Sequence, residues 1–354
     1  MPNHQNDKIL FVVKERQVYG GAAKAYGLLN SCKFVAETLS RKGIPSEVVS
    51  VLDNNFIDAE VARFKPKFCF IEAVWVVPSK FEVLAELHPN VNWIIRIHSM
   101  VPFLAAESFA FEWLNDYIEL RKKGIKISLS CNNKRLYNDI QPIFNYVSYT
   151  PNIYIEDTEP SNLTFDFSAK DTINIGCFGA LRPLKNTVKQ AILAIKFANE
   201  INKHLKFHIN ISEYEQASAG PTLKNLREVF SNISAELVEH PWYDHNDFLK
   251  LVGAMDIGMQ LSLSETFNIT AADFVSQGIP IVVSKEIEFI DDRCRVDVHS
   301  DKEAIKALRY AYYKSFDDGR VYHQRTNIVE DNREKLQYHN KEAARAWITF
   351  MENS

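Results

Sequence analysis

The chain has 354 residues, 46% of them hydrophobic and 24% charged, with a formal net charge of −4. That length suits two domains of roughly 150 residues each, and the balance is that of a globular protein rather than a generally basic nucleic-acid binder. No apolar run approaches the ~18 residues of a membrane span and the start M-P-N-H-Q-N-D-K shows no signal-peptide pattern, so a cytoplasmic protein is expected.

In chain order, K-I-L-F-V-V at 8–13 reads as a buried strand, followed by a polar loop and the glycine pair Gly20-Gly21. A helix through Leu28, Cys32, Val35, Ala36 and Leu39 ends at Gly43, and S-E-V-V-S-V is the next strand. The alternation predicts strand 67–77, helix 79–87, strand 91–97, helix 107–123, strand 125–130, helix 133–140 and strand 145–149. Residues 155–170 are polar, contain a proline and lack periodicity, so they read as an interdomain linker. The pattern then restarts with strand 172–178, helix 186–203, strand 205–211, helix 221–231, strand 235–239, helix 245–253, strand 256–261, helix 268–277 and strand 279–284. Helical patterns from 301 onward close the chain. Strands alternating with helices predict parallel sheets covered on both faces, hence two doubly wound α/β domains. The expected domains are 1–154 and 171–320, with closing helices at 321–354 that can pack back on the first domain.

Cys32, Cys69, Cys131, Cys177 and Cys294 are odd in number, lack metal-ligand spacing and mostly sit in apolar runs, which reads as reduced core residues. Residues 1–150 carry 18 Lys and Arg against 15 Asp and Glu, a surplus of +3 that leaves −7 for the remainder. The mildly basic first half hints at an anionic acceptor.

The most informative stretch is S-E-T-F-N-I-T-A-A-D-F-V-S-Q-G-I-P at 264–280. Phe267, Thr270, Ala271 and Phe274 recur at helical spacing, and Gly278 supplies a left-handed stop before the strand I-P-I-V-V. Glu265 and Asp273 therefore flank a helix start. Its unpaired N–H groups and positive dipole end suit a phosphate, while the acids can accept hydroxyls of whatever carries that phosphate. A nucleotide sugar has both kinds of group.

Acid-x₇-acid followed by a small-x-Gly-x-Pro run resembles the donor-site signature of retaining GT-B glycosyltransferases, especially family four, with Asp273 in place of the second Glu. The resemblance implies two Rossmann-like domains facing one cleft, the first binding mainly acceptor and the second the donor. In I-N-I-G-C-F-G-A-L-R-P-L-K-N, Gly179, Pro183 and Lys185 fall on positions of the family's G-R-L-x-P-x-K-G segment. The family's Arg is Ala180 here and its last Gly is Asn186, so Arg182 is expected to supply the missing cation beside Lys185. The family roles carry over as sugar hydroxyls on Glu265, ribose hydroxyls on Asp273, and diphosphate or sugar on the N–H groups of Thr266, Phe267, Asn268, Ile269 and Thr270. His240 or Trp242 falls in the base-contacting run, and Asp256 in A-M-D is expected to cap or close a turn. In the first domain, Gly20 and Gly21 match a glycine pair where backbone approaches ligand. They form no G-x-G-x-x-G, so a dinucleotide site is unsupported. His98, ending W-I-I-R-I-H, resembles the family histidine that faces the donor sugar, which with Glu265 makes the expected catalytic pair; Asn152 in T-P-N reads as structural.

The chain has no Asp-x-Asp motif. Metal-independent chemistry is therefore expected, with helix dipole and Arg/Lys in place of a cation and no cofactor beyond the nucleotide-sugar co-substrate. The resemblance implies transfer with retention, the leaving phosphate helping to deprotonate the acceptor, and a UDP-sugar is the expected donor. The acceptor stays open among a glycan, a small molecule and DNA, as does the oligomeric state. Two alternatives stand beside this reading. One is a bacteriophage DNA glycosyltransferase acting on a hydroxymethylated base, with K-E-R-Q at 14–17 and aromatics around 103–113 against the strand. The other is a silent nucleotide-sugar binder, motivated by Ala180 and Asp273.

Overall fold

A computed structural model describes residues 7–18, 21–23, 26–155, 171–211, 220–313 and 324–353. The chain divides into two compact units, Met1–Ile155 with His339–Ser354, and Glu156–Tyr338. Each is a doubly wound parallel sheet with helices, the GT-B type of architecture. Of the expected linker, residues 156–170 lie outside the described residues.

The strands of the first unit are β1 Ile9–Lys14, β2 Arg16–Val18, β3 Gly21–Ala23, β4 Ser46–Val51, β5 Phe68–Glu72, β6 Asn92–Ile97, β7 Ile127–Cys131 and β8 Val147–Tyr149. Its main sheet runs β4-β1-β5-β6-β7-β8, all parallel, while β2 and β3 form a small antiparallel hairpin. Leu10, Val12, Ile71, Trp93 and Ile95 pack on one face of the sheet. Ile9, Phe11, Val13, Phe70 and Ile94 pack on the other, against Trp347 of the closing helix Gln324–Glu352. Burial on both faces is why these strands read as unbroken apolar runs. The chain leaves β1 toward β4 on one side, and β5 lies on the other, so the strand order reverses between β1 and β5.

The structure shortens the expected strand 67–77: β5 ends at Glu72, where Ala73 turns the chain out of the sheet at φ 72°. It also adds elements too short for a periodic signal, the β2–β3 hairpin and the helices Ile57–Phe64 and Val101–Ala105. All five cysteines are free and buried. No helix among the described residues is long and apolar enough to cross a membrane.

The second unit contains β9 Thr172–Gly176, β10 His204–Asn210, β11 Glu236–His240, β12 Ile257–Gln260, β13 Ile281–Ser284 and β14 Arg295–Val296. The order is β11-β10-β9-β12-β13-β14, all parallel, with the reversal between β9 and β12. Asp256 is buried; its Oδ2 accepts from the backbone N–H of Asn174 at 2.7 Å and from Asn174 Nδ2 at 3.1 Å, so it ties strands together where a turn cap was expected.

Gly176 and Gly258 lie opposite each other on β9 and β12. A Cβ on Gly258 would meet the Phe274 ring at 2.7 Å, and one on Gly176 would meet Phe178 at 2.7 Å and Phe274 at 2.9 Å. The paired glycines therefore let Phe274, on the helix Ile269–Ser276, lie flat on the sheet and set that helix close to the reversal point. Gly258→Ala is expected to destabilise the second unit by about 1–3 kcal/mol through overpacking. A urea denaturation midpoint equal to that of wild type would show that Phe274 yields freely.

Candidate functional site

Open parallel sheets bind ligands outside the carboxyl ends of their strands at the point where strand order reverses. In the second unit that point lies between the loops that leave β9 and β12. The β9 loop carries Gly179 at φ 124°, a conformation that favours glycine, and its N–H donates to Asn210 Oδ1 at 2.6 Å. Arg182 follows, exposed and extended, then a single 3₁₀ turn Pro183–Lys185. Asn186 stands at φ 58°, which an Asn tolerates better than other side chains, and this explains how it replaces the glycine of the resembled pattern. Its Nδ2 donates to the Leu261 carbonyl at 3.1 Å, while Leu263 N–H donates to the Leu184 carbonyl at 2.8 Å, so the two loops are laced together.

Lacing brings Lys185 Nζ onto Glu265 Oε1 as an ion pair. Glu265 is only 7% exposed, and Lys185 is half-buried. Asn268, at φ 64°, performs three tasks with one amide. Its Oδ1 accepts from Ala271 N–H at 2.9 Å and caps the helix Ile269–Ser276; its Nδ2 donates to Glu265 Oε1 and to Gln260 Oε1, each at 2.9 Å. Gln260 Nε2 in turn donates to the Phe178 carbonyl at 2.7 Å. Glu265 is thus held by a cation and by an amide that Gln260 anchors to β12. In the same loop the hydroxyls of Ser262 and Ser264 are buried and make no hydrogen bond among the described residues. Thr266, Ile269 and Thr270 are half-buried at the helix start, whereas the Phe267 ring packs against Phe289 at 4.9 Å, so only its backbone faces the role assigned to it.

Asp273 lies on the same helix, 2% exposed, and its Oδ1 pairs with His245 Nε2 at 2.8 Å. His245 opens the helix His245–Gly253, which Asp244 caps by accepting from Asp247 N–H at 3.0 Å. His240 ends β11 and Trp242 follows in the connecting loop; both are half-buried. The second unit thus brings together Gly179, Lys185, Glu265, Asn268 and the helix start.

The first unit has its own polar centre at the carboxyl ends of β5 and β6. Arg96 and Glu72 are 0% exposed. Arg96 Nη1 donates to Glu72 Oε2 at 3.2 Å, Nε to the Thr150 carbonyl at 2.9 Å and Nη2 to Asn152 Oδ1 at 2.7 Å, while Trp347 covers the guanidinium at 5.3 Å. His98 Nε2 contacts Glu72 Oε2, and Asn132 Nδ2 donates to His98 Nδ1 at 3.1 Å. Burial works to raise the Glu72 pKa, but the Arg96 charge and the hydrogen bond from His98 outweigh it and hold the carboxyl below its ordinary value. Burial pushes the His98 imidazole down against the pull of Glu72. The ring is therefore neutral beside an ionised carboxylate, with the proton on Nε2 and the Nδ1 lone pair on Asn132. Gly20 lies outside the described residues, and Gly21 opens β3.

Reading the sequence overlooked Glu72, Gln260, Asn210 and His245, and gave Asn152 only a turn. A signal existed for Glu72 and Arg96: a single charge inside each of the apolar runs F-C-F-I-E and W-I-I-R-I must be paired once buried. For His245 no local pattern marks the contact, which joins the start of one helix to the middle of another.

No family model matches the chain, and no curated protein matches it. Solved structures do resemble it. A glycosyltransferase from Rickettsia africae is 14% identical with a TM-score of 0.68, the match covering 98% of each chain. An E. coli trehalose-6-phosphate structure bound with UDP-2-fluoro glucose is 9% identical at a TM-score of 0.64, over 98% of this chain and 99% of that one. HepE from Anabaena, solved with UDP and glucose, is 14% identical at 0.59, over 97% and 100%. At these identities the likeness establishes the fold.

Proposed function

We propose that the chain is a GT-B glycosyltransferase that moves a sugar from a UDP-sugar to an acceptor hydroxyl with retention, without a metal. The observation that carries the reading is the convergence, at the strand-order reversal of the second sheet, of a buried carboxylate, a lysine and a capped helix start. The similar structures that hold UDP or a UDP-sugar support it. In this reading Glu265 accepts sugar hydroxyls and Asp273, with His245, takes the ribose. The N–H groups from Thr266 to Thr270 meet the diphosphate, and Arg182 and Lys185 offset the charge that develops on it. The leaving phosphate takes the acceptor proton.

Two observations favour a second reading, a nucleotide-sugar binder without turnover: Ala180 stands where the family Arg would be, and Lys185 is already engaged by Glu265. Slow donor hydrolysis without acceptor separates the two.

A saturating nucleoside diphosphate should raise the stability of the native state, by about 2.7 kcal/mol at a hundredfold excess over Kd. Arg182→Ala should weaken UDP binding by roughly 10–100-fold and uridine hardly at all, because only the diphosphate offers oxygens to a guanidinium. Titration calorimetry of the two ligands checks this. Equal affinities for UDP and uridine in both proteins would show that Arg182 does not reach the phosphates, and the second reading would then prevail.

A further inference from the structure

A chain of hydrogen bonds crosses the second sheet below His240, and its direction can be worked out atom by atom. Asp256 accepts both donors of Asn174, the backbone N–H and the side-chain Nδ2. That orients the Asn174 amide with Oδ1 toward His208 Nε2 at 3.1 Å. A carbonyl oxygen only accepts, so His208 carries its proton on Nε2. Burial above all, with the nearby Lys206 charge, pushes His208 down to about 4, so the ring is neutral and its Nδ1 is a lone pair. That lone pair faces His240 Nε2 at 2.9 Å, which must therefore be the donor. Burial also lowers the His240 pKa. A neutral His240 with Nε2–H has an acceptor at Nδ1, and no hydrogen bond among the described residues engages that atom.

The ring is held as well as polarised. It stacks on His208 with centroids 5.2 Å apart and planes 12° from parallel, and Phe178 of the β9 loop meets it edge-on at 6.3 Å. His240 is the last residue of β11, at the carboxyl end of the sheet, and its half-exposure leaves an edge for a ligand.

We infer that His240 reads the nucleobase of the donor: the relay Asp256–Asn174–His208 holds its Nδ1 as an acceptor, which selects bases presenting a ring N–H, uracil or guanine, over bases presenting a bare ring nitrogen, cytosine or adenine. The inference rests on the nucleotide-sugar reading above and adds to it a discrimination that the diphosphate contacts cannot make. Its physical basis is that a mismatched base sets two lone pairs against each other and leaves both without a donor.

The test is calorimetric binding of UDP, GDP, CDP and ADP to the full chain and to two variants. Wild type should bind UDP and GDP at least about tenfold more tightly than CDP and ADP. His240→Phe keeps a ring against His208 and Phe178 but removes the acceptor, and should bring the four ligands within about threefold of one another. His208→Leu touches no base, yet it frees the His240 tautomer and should shrink the same ratio. Nitrogen-15 spectra of the imidazoles should show the proton on Nε2 of both histidines in wild type. Binding of none of the four would overturn the nucleotide-sugar reading and this inference together. Binding with no base preference, a preference unchanged in His240→Phe, or a His240 proton on Nδ1 would overturn only the role of His240.

Discussion

Arg96→Met is expected to destabilise the protein by about 3–5 kcal/mol, because it leaves the Glu72 carboxylate buried without its counter-ion. Both groups are fully enclosed, and Arg96 also satisfies Thr150 and Asn152, so water cannot substitute for the lost contacts. The double variant Glu72→Gln with Arg96→Met should recover a large part of the loss, since it removes the uncompensated charge rather than the space it fills. The pH dependence is expected to have a definite sign. In wild type the Glu72 pKa is held below its ordinary 4.5, so its contribution is present above that value and is lost as pH falls through the folded pKa. His98, held below 6.5, likewise loses stability on acidification, because the unfolded chain takes up the proton first. Without Arg96 burial raises the Glu72 pKa, so the gap between variant and wild type should be widest at neutral pH and narrow toward acid. Urea denaturation at several pH values measures it. A gap below about 1 kcal/mol at neutral pH would show that Glu72 is not left as an uncompensated buried charge when Arg96 is removed.

Glu265→Gln is expected to lower turnover of the donor by roughly 10–100-fold, the loss of one charge-assisted hydrogen bond to the transferring sugar. Binding of UDP alone should be unchanged or tighter, because Lys185 no longer has a carboxylate competing with the phosphates for it. That opposite response distinguishes a sugar contact from a structural one. The fold should persist, since glutamine can still accept from Asn268 Nδ2. Donor hydrolysis followed by nucleotide release, with calorimetry of UDP, provides both readouts. Wild-type turnover would remove Glu265 from the sugar site, and a parallel fall in UDP affinity would mean that the residue only shapes the loop.

The alternation of strands and helices was legible because both faces of each sheet are buried, so each strand appears as an apolar run and each helix as a 3.6-residue period. The helix start at Asn268, the stop at Gly278 with φ 68° and the acids around them were legible for the same local reason. Segments with little buried length left no such trace. The β2–β3 hairpin and the short helices after β4 and β6 span only three to eight residues, too few to show a period. The overlong reading of β5 has the same origin, since V-W-V-V beyond Ala73 is as apolar as the strand itself.

Sequence by itself determined the fold class, the doubly wound repetition, and the placing of Glu265 and Asp273 around the start of a helix that follows a strand, because these depend on periodicity and on residues close along the chain. Only the tertiary structure decided strand order, which puts the reversal between β9 and β12, and the partners of each charge. Lys185 on Glu265, His245 on Asp273, Arg96 on Glu72 and His240 on His208 join residues 24 to 80 positions apart. Such pairs are selected by how strands stack and where loops cross. A one-dimensional pattern records that a buried charge needs a partner, and the packing of the sheet chooses which one it gets.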